Sequence, residues 1–212
     1  KLIREEGLTY RDIAVVIGDL EGYASYVETE FGQLEIPCFL DRTRGIVLNP
    51  MIEYIKSALQ LYIRDFSYDT VFHFLRSGMA DISREEIDEL ENYVIRTGAR
   101  GYRTYSRLFT RKTEEMQQGS GQEDTERAEE TLERLNRIRQ QFADTVEILH
   151  MAPRAKAGEY VDHLYDFLEQ NQVQQKLLNY QQRFEQEGDL AKAREYAQIY
   201  RLVMDLLDQI YE

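Results

Sequence analysis

The stretch from residue 10 to residue 50 constrains the fold more than any other part of the sequence. Asp12–Ile17 is a short apolar run that ends at Gly18, the composition of a strand buried on both faces. Residues 20–31 carry apolar side chains at helical spacing, and Ile36–Leu40 is a second predicted strand. Two strands joined by a helix form one βαβ unit, which is too little sheet to bury itself. We therefore expect this sheet to be incomplete in this chain.

The rest of the sequence predicts helices from local signals. Asn49 followed by Pro50 predicts a helix start, and Ser83 with Glu86 forms a capping box. Gly98 predicts the left-handed end of the helix that the box begins. Spacings of three and four between apolar residues predict further helices at 67–78, 126–151, 160–168, 173–184 and 190–211, with Asp189 as a cap for the last.

These signals predict a mainly α fold with a small α/β part. The predicted divisions are 1–65, 66–116, a linker at 117–125, and a helical bundle at 126–212. The linker, QQGSGQEDT, has no apolar residue and two glycines, so it is expected to be flexible and solvated. A polar turn is predicted at 41–45.

Charge and cysteine content exclude several classes of protein. The formal net charge of −13 is opposite in sign to that of most free-standing nucleic-acid binders. No apolar run approaches the ~20 residues that a membrane span needs, so we expect no membrane partner. Cys38 is the single cysteine, which permits no internal disulfide and fits a reducing, cytoplasmic location. The chain opens on Lys1, which suggests a segment of a longer polypeptide.

One basic segment stands apart from this acidic background. Arg100, Arg103 and Arg107 alternate with aromatic residues between 98 and 113, beside Arg111 and Lys112. Such a pattern can follow a single DNA strand by pairing phosphates and stacking bases. The alternative is an aromatic-anchored connector whose arginines pair with the protein's own carboxylates. Both interpretations stay open, with the three arginines as candidate DNA contacts.

The sequence contains no recognisable catalytic motif. It lacks a G-x-x-x-x-G-K-[ST] phosphate loop, and no G-x-G-x-x-G surrounds Gly18. The three histidines lie far apart, and one cysteine cannot build a zinc site or an iron–sulfur cluster. The many carboxylate pairs suit solvated helix faces. We therefore expect this chain to have no catalytic or metal site and to bind no cofactor.

Four sequence strings resemble one bacterial family. YRDIAVVIGDLEGY, EIPCFLD, LNPMIEYIKSAL and IDELENYVIRTGARG are similar to the B subunit of the ATP-dependent helicase–deoxyribonuclease of the AddAB or RexAB type. The likeness continues weakly to the end of the chain, and the IDELENYV string is its most specific part. A more distant resemblance extends to UvrD-type superfamily I helicases.

The resemblance implies an origin for each predicted division. Residues 1–65 would be the first part of the second, RecA-like motor domain, and the helices that follow would be its inserted helical subdomain. Related active helicases carry an arginine just after the first strand, where this chain has Gly18. That difference implies a lost phosphate contact. The family's phosphate loop and C-terminal nuclease would lie outside this segment.

The function implied is that of an internal, non-catalytic scaffold fragment. It would serve a helicase–exonuclease that processes DNA double-strand breaks for recombinational repair, with the A subunit as partner and DNA bound through the whole complex. Two alternatives stay open. One is a piece of an active UvrD-type helicase, and the other is an unrelated acidic helical adaptor.

Overall fold

The structure is a computed structural model, and it describes residues 2–40, 49–117, 121–151 and 155–211. The chain divides into two compact units, Lys1–Gly45 and Ile46–Glu212, which we call the N-terminal unit and the helical unit. The described residues are mostly helical, which confirms the mainly α prediction. In chain order the helices are α1 Leu2–Glu5, α2 Leu20–Gln33, α3 Pro50–Ile63, α4 Tyr68–Leu75, α5 Arg84–Thr97, α6 Tyr102–Tyr105, α7 Gln122–Val146, α8 Ala157–Gln170, α9 Val173–Gln186 and α10 Leu190–Tyr211.

The two predicted strands do not form in the described residues, so the expected βαβ unit is not observed there. Tyr10–Asp12 is a 3₁₀ turn, and residues 13–17 and 36–40 have no regular structure. No strand occurs anywhere in the described ranges. A strand satisfies its backbone hydrogen bonds only by pairing with another strand, and neither segment has one beside it. Val16 is 96% exposed and Phe39 is 76% exposed. The turn predicted at 41–45 lies outside the described residues.

Local capping signals place most of the helix ends correctly. The Asn49 side chain accepts a hydrogen bond from the Met51 backbone N–H (3.0 Å) at the start of α3. Ser83 and Glu86 form the predicted capping box at α5, which ends at Gly98 with φ +67°. Helix α10 spans the predicted Leu190–Tyr211, and the Asp189 carboxylate accepts from the Lys192 N–H (3.0 Å).

Aromatic rings fill the centre of the helical unit. Tyr54 of α3 stacks on Phe74 (ring centroids 4.9 Å) and on Phe167 (5.1 Å). Phe142 of α7 is fully buried and contacts the rings of Phe66, Phe74 and Tyr105. Packing between helices that are distant in sequence therefore stabilises this unit.

The segment predicted as a linker is partly helical. Gln117 ends a 3₁₀ turn, and α7 begins at Gln122 with the last four residues of the predicted linker. Residues 118–120 lie outside the described residues. The boundary between the two compact units falls at 45–46, and α3 and Phe66 belong to the core of the helical unit. The predicted domain division at 65–66 stays a prediction.

Candidate nucleic-acid interface

The structure brings the three candidate arginines together around one groove. Arg100, Arg103 and Arg107 line a cavity of about 450 Å³ between the end of α5 and the segment that follows α6. Arg111 lines the same groove, although the sequence pattern did not single it out as a candidate contact. Its place in the same basic run was the signal that could have found it. We call this feature the arginine groove.

Two glycines and two hydrogen bonds of backbone N–H groups fix the entrance to the arginine groove. Gly98 and Gly101 both have positive φ angles, +67° and +85°, which reverse the chain after α5. The Gly101 N–H donates to the carbonyl of Phe66 (3.3 Å). The Tyr102 N–H donates to the Asp65 carboxylate (2.9 Å), which caps α6 from a different part of the chain. These bonds attach the first turn of the arginine segment, residues 98–113, to the core of the helical unit.

The far end of the segment is bonded back to α5. The Arg111 guanidinium donates to the carbonyl of Thr97 (2.7 Å), and the Tyr93 hydroxyl donates to the carbonyl of Arg111 (2.9 Å). The two ends of the loop therefore meet at the last turn of α5. This closure makes the segment a compact surface loop with the arginines along its rim.

The rings of Tyr105 and Phe109 belong to the core of the helical unit, which disfavours the alternative in which they stack bases. Tyr105 is 1% exposed and Phe109 is 5% exposed, and the Phe109 ring lies 4.8 Å from that of Tyr93. Tyr102 is half-buried and stacks on His150 (4.3 Å). Leu108, at 68% exposure, is the large apolar side chain that the groove presents to solvent.

Burial also removes the Tyr105 hydroxyl from any acid–base role. It raises the pKa of this group above its ordinary value of 10.0, and the same holds for Tyr54. Neither buried hydroxyl has a hydrogen-bond partner among the described residues. Both side chains therefore act as neutral packing elements.

The side chains that line the groove carry charge of one sign. Its lining contains four arginines and no carboxylate, in a chain whose net charge is −13. Arg100, Arg103 and Arg107 are exposed, and within the described ranges none of them forms an ion pair. Several other arginines of the helical unit do pair with carboxylates: Arg76, Arg96, Arg134 and Arg183. The alternative interpretation, a connector neutralised by the protein's own acids, holds for Lys112, whose ammonium lies 3.8 Å from Glu129.

A neighbouring cavity has the opposite character. It measures about 390 Å³ between α5 and α7, and its lining includes Glu89, Glu115 and Asp124 as well as arginines. Glu115 pairs with Arg96, and Glu89 accepts from Arg134 (2.6 Å). Because its charges are mutually compensated, this cavity offers no site for a polyanion.

The described residues contain neither a cluster of metal ligands nor a membrane-spanning helix. No group of three or more histidine, cysteine, aspartate or glutamate side chains is arranged there to hold a metal ion. None of the helices in those ranges combines the length and the apolar character required to cross a membrane.

Comparison with known proteins identifies the relatives of the chain. No protein-family model matches it. The B subunit of an ATP-dependent helicase/deoxyribonuclease from Clostridium botulinum is 38% identical over 215 residues, and that from Acetivibrio thermocellus is 38% identical over 218 residues. Each match covers 100% of this chain. The relative from Symbiobacterium thermophilum is 35% identical over 227 residues.

The chain is homologous throughout to a segment of this helicase/deoxyribonuclease B subunit. This confirms the resemblance that the sequence strings indicated. The chain spans 18% of the length of the Clostridium botulinum and Acetivibrio thermocellus proteins and 19% of the Symbiobacterium thermophilum protein.

Proposed function

We propose that this chain is a non-catalytic scaffold segment of a helicase/deoxyribonuclease B subunit. The whole protein would act with an A subunit in the cytoplasm, where the complex processes DNA double-strand breaks for recombinational repair. Similarity along the full chain to proteins that carry the B-subunit name supports the proposal. The lack of a phosphate loop in the sequence supports the non-catalytic part.

Under this proposal the chain carries parts of two domains. Residues 1–65 would be the first part of a RecA-like motor domain whose other strands lie elsewhere in the full-length protein. Its two exposed apolar segments, 13–17 and 36–40, would then pair with those strands. The helices from residue 66 onward would form the inserted helical subdomain, in two parts on either side of 117–125.

The arginine groove would contact DNA. The observation that carries this step is the set of four arginines around one groove whose lining has no carboxylate. Guanidinium groups bind phosphates with paired N–H donors, and phosphate contacts supply most of the affinity of non-specific DNA binding. The buried rings exclude an aromatic stacking platform, so the contact would be to the backbone of the strand.

The test is binding of the 212-residue chain to a fluorescent single-stranded oligonucleotide, measured by anisotropy over a range of salt. Replacing Arg100, Arg103 and Arg107 together with alanine should weaken binding and reduce the slope of log K against log salt by about 2, at ~0.7 per phosphate contact. The matched control replaces exposed arginines that form no ion pair in the described ranges: Arg64, Arg84 and Arg194.

Both triple variants lower the net charge by the same amount. Equal losses of affinity in the two would mean that overall charge, rather than the groove, attracts the DNA. The non-catalytic part is tested separately, with ATP hydrolysis and DNA cleavage assays on the same purified chain. We expect neither activity, and turnover that copurifies with the chain through several columns would overturn this part of the proposal.

A further inference from the structure

One asparagine of α7, Asn136, forms hydrogen bonds with the backbone of the arginine segment. The Asn136 side chain accepts a hydrogen bond from the Phe109 N–H (2.7 Å) and donates to the Phe109 carbonyl (2.9 Å). It therefore satisfies both backbone groups of a residue 27 positions away in sequence. It also donates to the carbonyl of Leu132 in its own helix (2.9 Å), which fixes its rotamer.

A buried arginine holds the same segment one turn further along α7. Arg139 is 3% exposed, and its guanidinium donates to the carbonyl of Tyr105 (2.7 Å). The remaining donors reach the side-chain oxygens of Asn136 (3.4 Å) and Gln140 (2.6 Å). Burial lowers the pKa of Arg139 from its ordinary value, yet an arginine stays protonated in a protein.

These two side chains bond the backbone on both sides of Arg107. Arg139 binds at residue 105 and Asn136 binds at residue 109, while Arg107 itself is exposed on the rim. Neither Asn136 nor Arg139 lines the groove. Their contacts hold the backbone on either side of Arg107, and they leave the Arg107 side chain exposed.

We propose that Asn136 and Arg139 are positioning residues for DNA in the arginine groove. By fixing the backbone at residues 105 and 109, they set the position of Arg107 relative to the other arginines before the strand arrives. Because the loop is already ordered, DNA binding does not include the entropic cost of ordering it. This inference rests on the proposed DNA contact.

The first test separates positioning from charge. Replacing Asn136 with alanine should weaken binding of the single-stranded oligonucleotide by about tenfold, the scale of ordering one or two flexible residues. The slope of log K against log salt should stay unchanged, because the arginines that neutralise phosphates are still present. The control is Asn92→Ala, an exposed asparagine of α5 whose side chain forms no hydrogen bond in the described part of the chain.

The second readout needs no DNA. Hydrogen exchange at the Phe109 amide should become at least about tenfold faster in Asn136→Ala, because its acceptor is lost, and should stay unchanged in Asn92→Ala. If Asn136→Ala fails to fold, Arg139→Lys replaces it. That variant keeps the charge but loses the guanidinium fork, and it should likewise weaken binding at constant slope.

The outcomes distinguish the two proposals. If the unaltered chain does not bind the oligonucleotide, the DNA contact and the positioning role both fall. If it binds, and Asn136→Ala binds equally well despite faster exchange at Phe109, only the positioning role falls. A reduced salt slope in Asn136→Ala would also overturn positioning, since phosphate contacts themselves would then have been lost.

Discussion

The two units of the chain differ in whether their apolar residues are buried or exposed. In the described part of the N-terminal unit, Ala24 is the only buried hydrophobic residue, and Val16 and Phe39 project into solvent. In the helical unit a continuous core runs from α3 to α10, with rings such as Phe142 and Tyr54 fully buried. The contrast lies in arrangement, because the longest apolar run of the chain, residues 13–17, belongs to the N-terminal unit.

The difference follows from where each element finds its hydrogen bonds. A helix satisfies its backbone within its own turns, so α3 and α5 form from residues that are all present in the chain. A strand needs a neighbouring strand, and the N-terminal unit supplies none in the described ranges. A chain can therefore form its helices while segments with a strand pattern remain without regular structure.

The largest expected difference in stability comes from replacing one phenylalanine in each unit, in two separate variants. Phe142→Ala in the helical unit should lower the free energy of unfolding by about 3–5 kcal/mol, because it leaves a cavity among the surrounding rings. Phe39→Ala in the N-terminal unit should change it by less than about 0.5 kcal/mol, since that ring is already in water. Urea unfolding followed by circular dichroism measures both. A loss above about 1 kcal/mol for Phe39→Ala would show that the N-terminal unit has a core of its own.

The sequence predicted features that depend on neighbours along the chain. The bounds of α10, the capping box at Ser83 and the stop at Gly98 all rest on residues within one or two turns. The strands predicted at 12–17 and 36–40 do not form in the described residues, because no neighbouring strand lies there to pair with them. Periodicity alone does not report whether a partner exists.

The arginine groove was predictable only in part. The basic run drew attention to Arg100, Arg103 and Arg107, but nothing in it indicated that Tyr105 and Phe109 are buried. The role of Asn136 had no sequence signal, because a lone asparagine in a helix gives no hint of a contact 27 residues away. Long-range polar contacts of this kind are set by tertiary packing.

A pair of glycines gives the next largest effect. Gly98 adopts φ +67° at the end of α5, so Gly98→Ala should cost about 1 kcal/mol of stability. Gly18 of the N-terminal unit has no atom near the position of an added Cβ and does not adopt a positive φ, so Gly18→Ala should be close to neutral. Thermal unfolding of the two variants, measured side by side, provides the comparison. An equal loss of stability in the two variants would show that the units do not differ in how they tolerate alanine at these glycines.

The smallest effect comes from two carboxylates with the same local geometry. The Ser83 hydroxyl and N–H both donate to Glu86, and the Thr9 hydroxyl and N–H both donate to Asp12. These hydrogen bonds lower the pKa of each carboxyl, from 4.5 for Glu86 and from 3.8 for Asp12. Glu86 belongs to α5, which has buried residues, whereas the 3₁₀ turn that contains Asp12 has none.

The two carboxylates should therefore differ in how they affect unfolding. A pKa that is lower in the folded state means stability that is complete above about pH 4.5 and is lost as the pH falls through the folded value. Glu86→Gln should accordingly destabilise the chain more at about pH 7 than at about pH 3. Asp12→Asn should leave the urea midpoint unchanged at both, because no core of the N-terminal unit unfolds with it. If the difference in urea midpoint between Asp12→Asn and the unaltered chain changed with pH, the capping box at Thr9 would instead belong to a part of the chain that unfolds cooperatively.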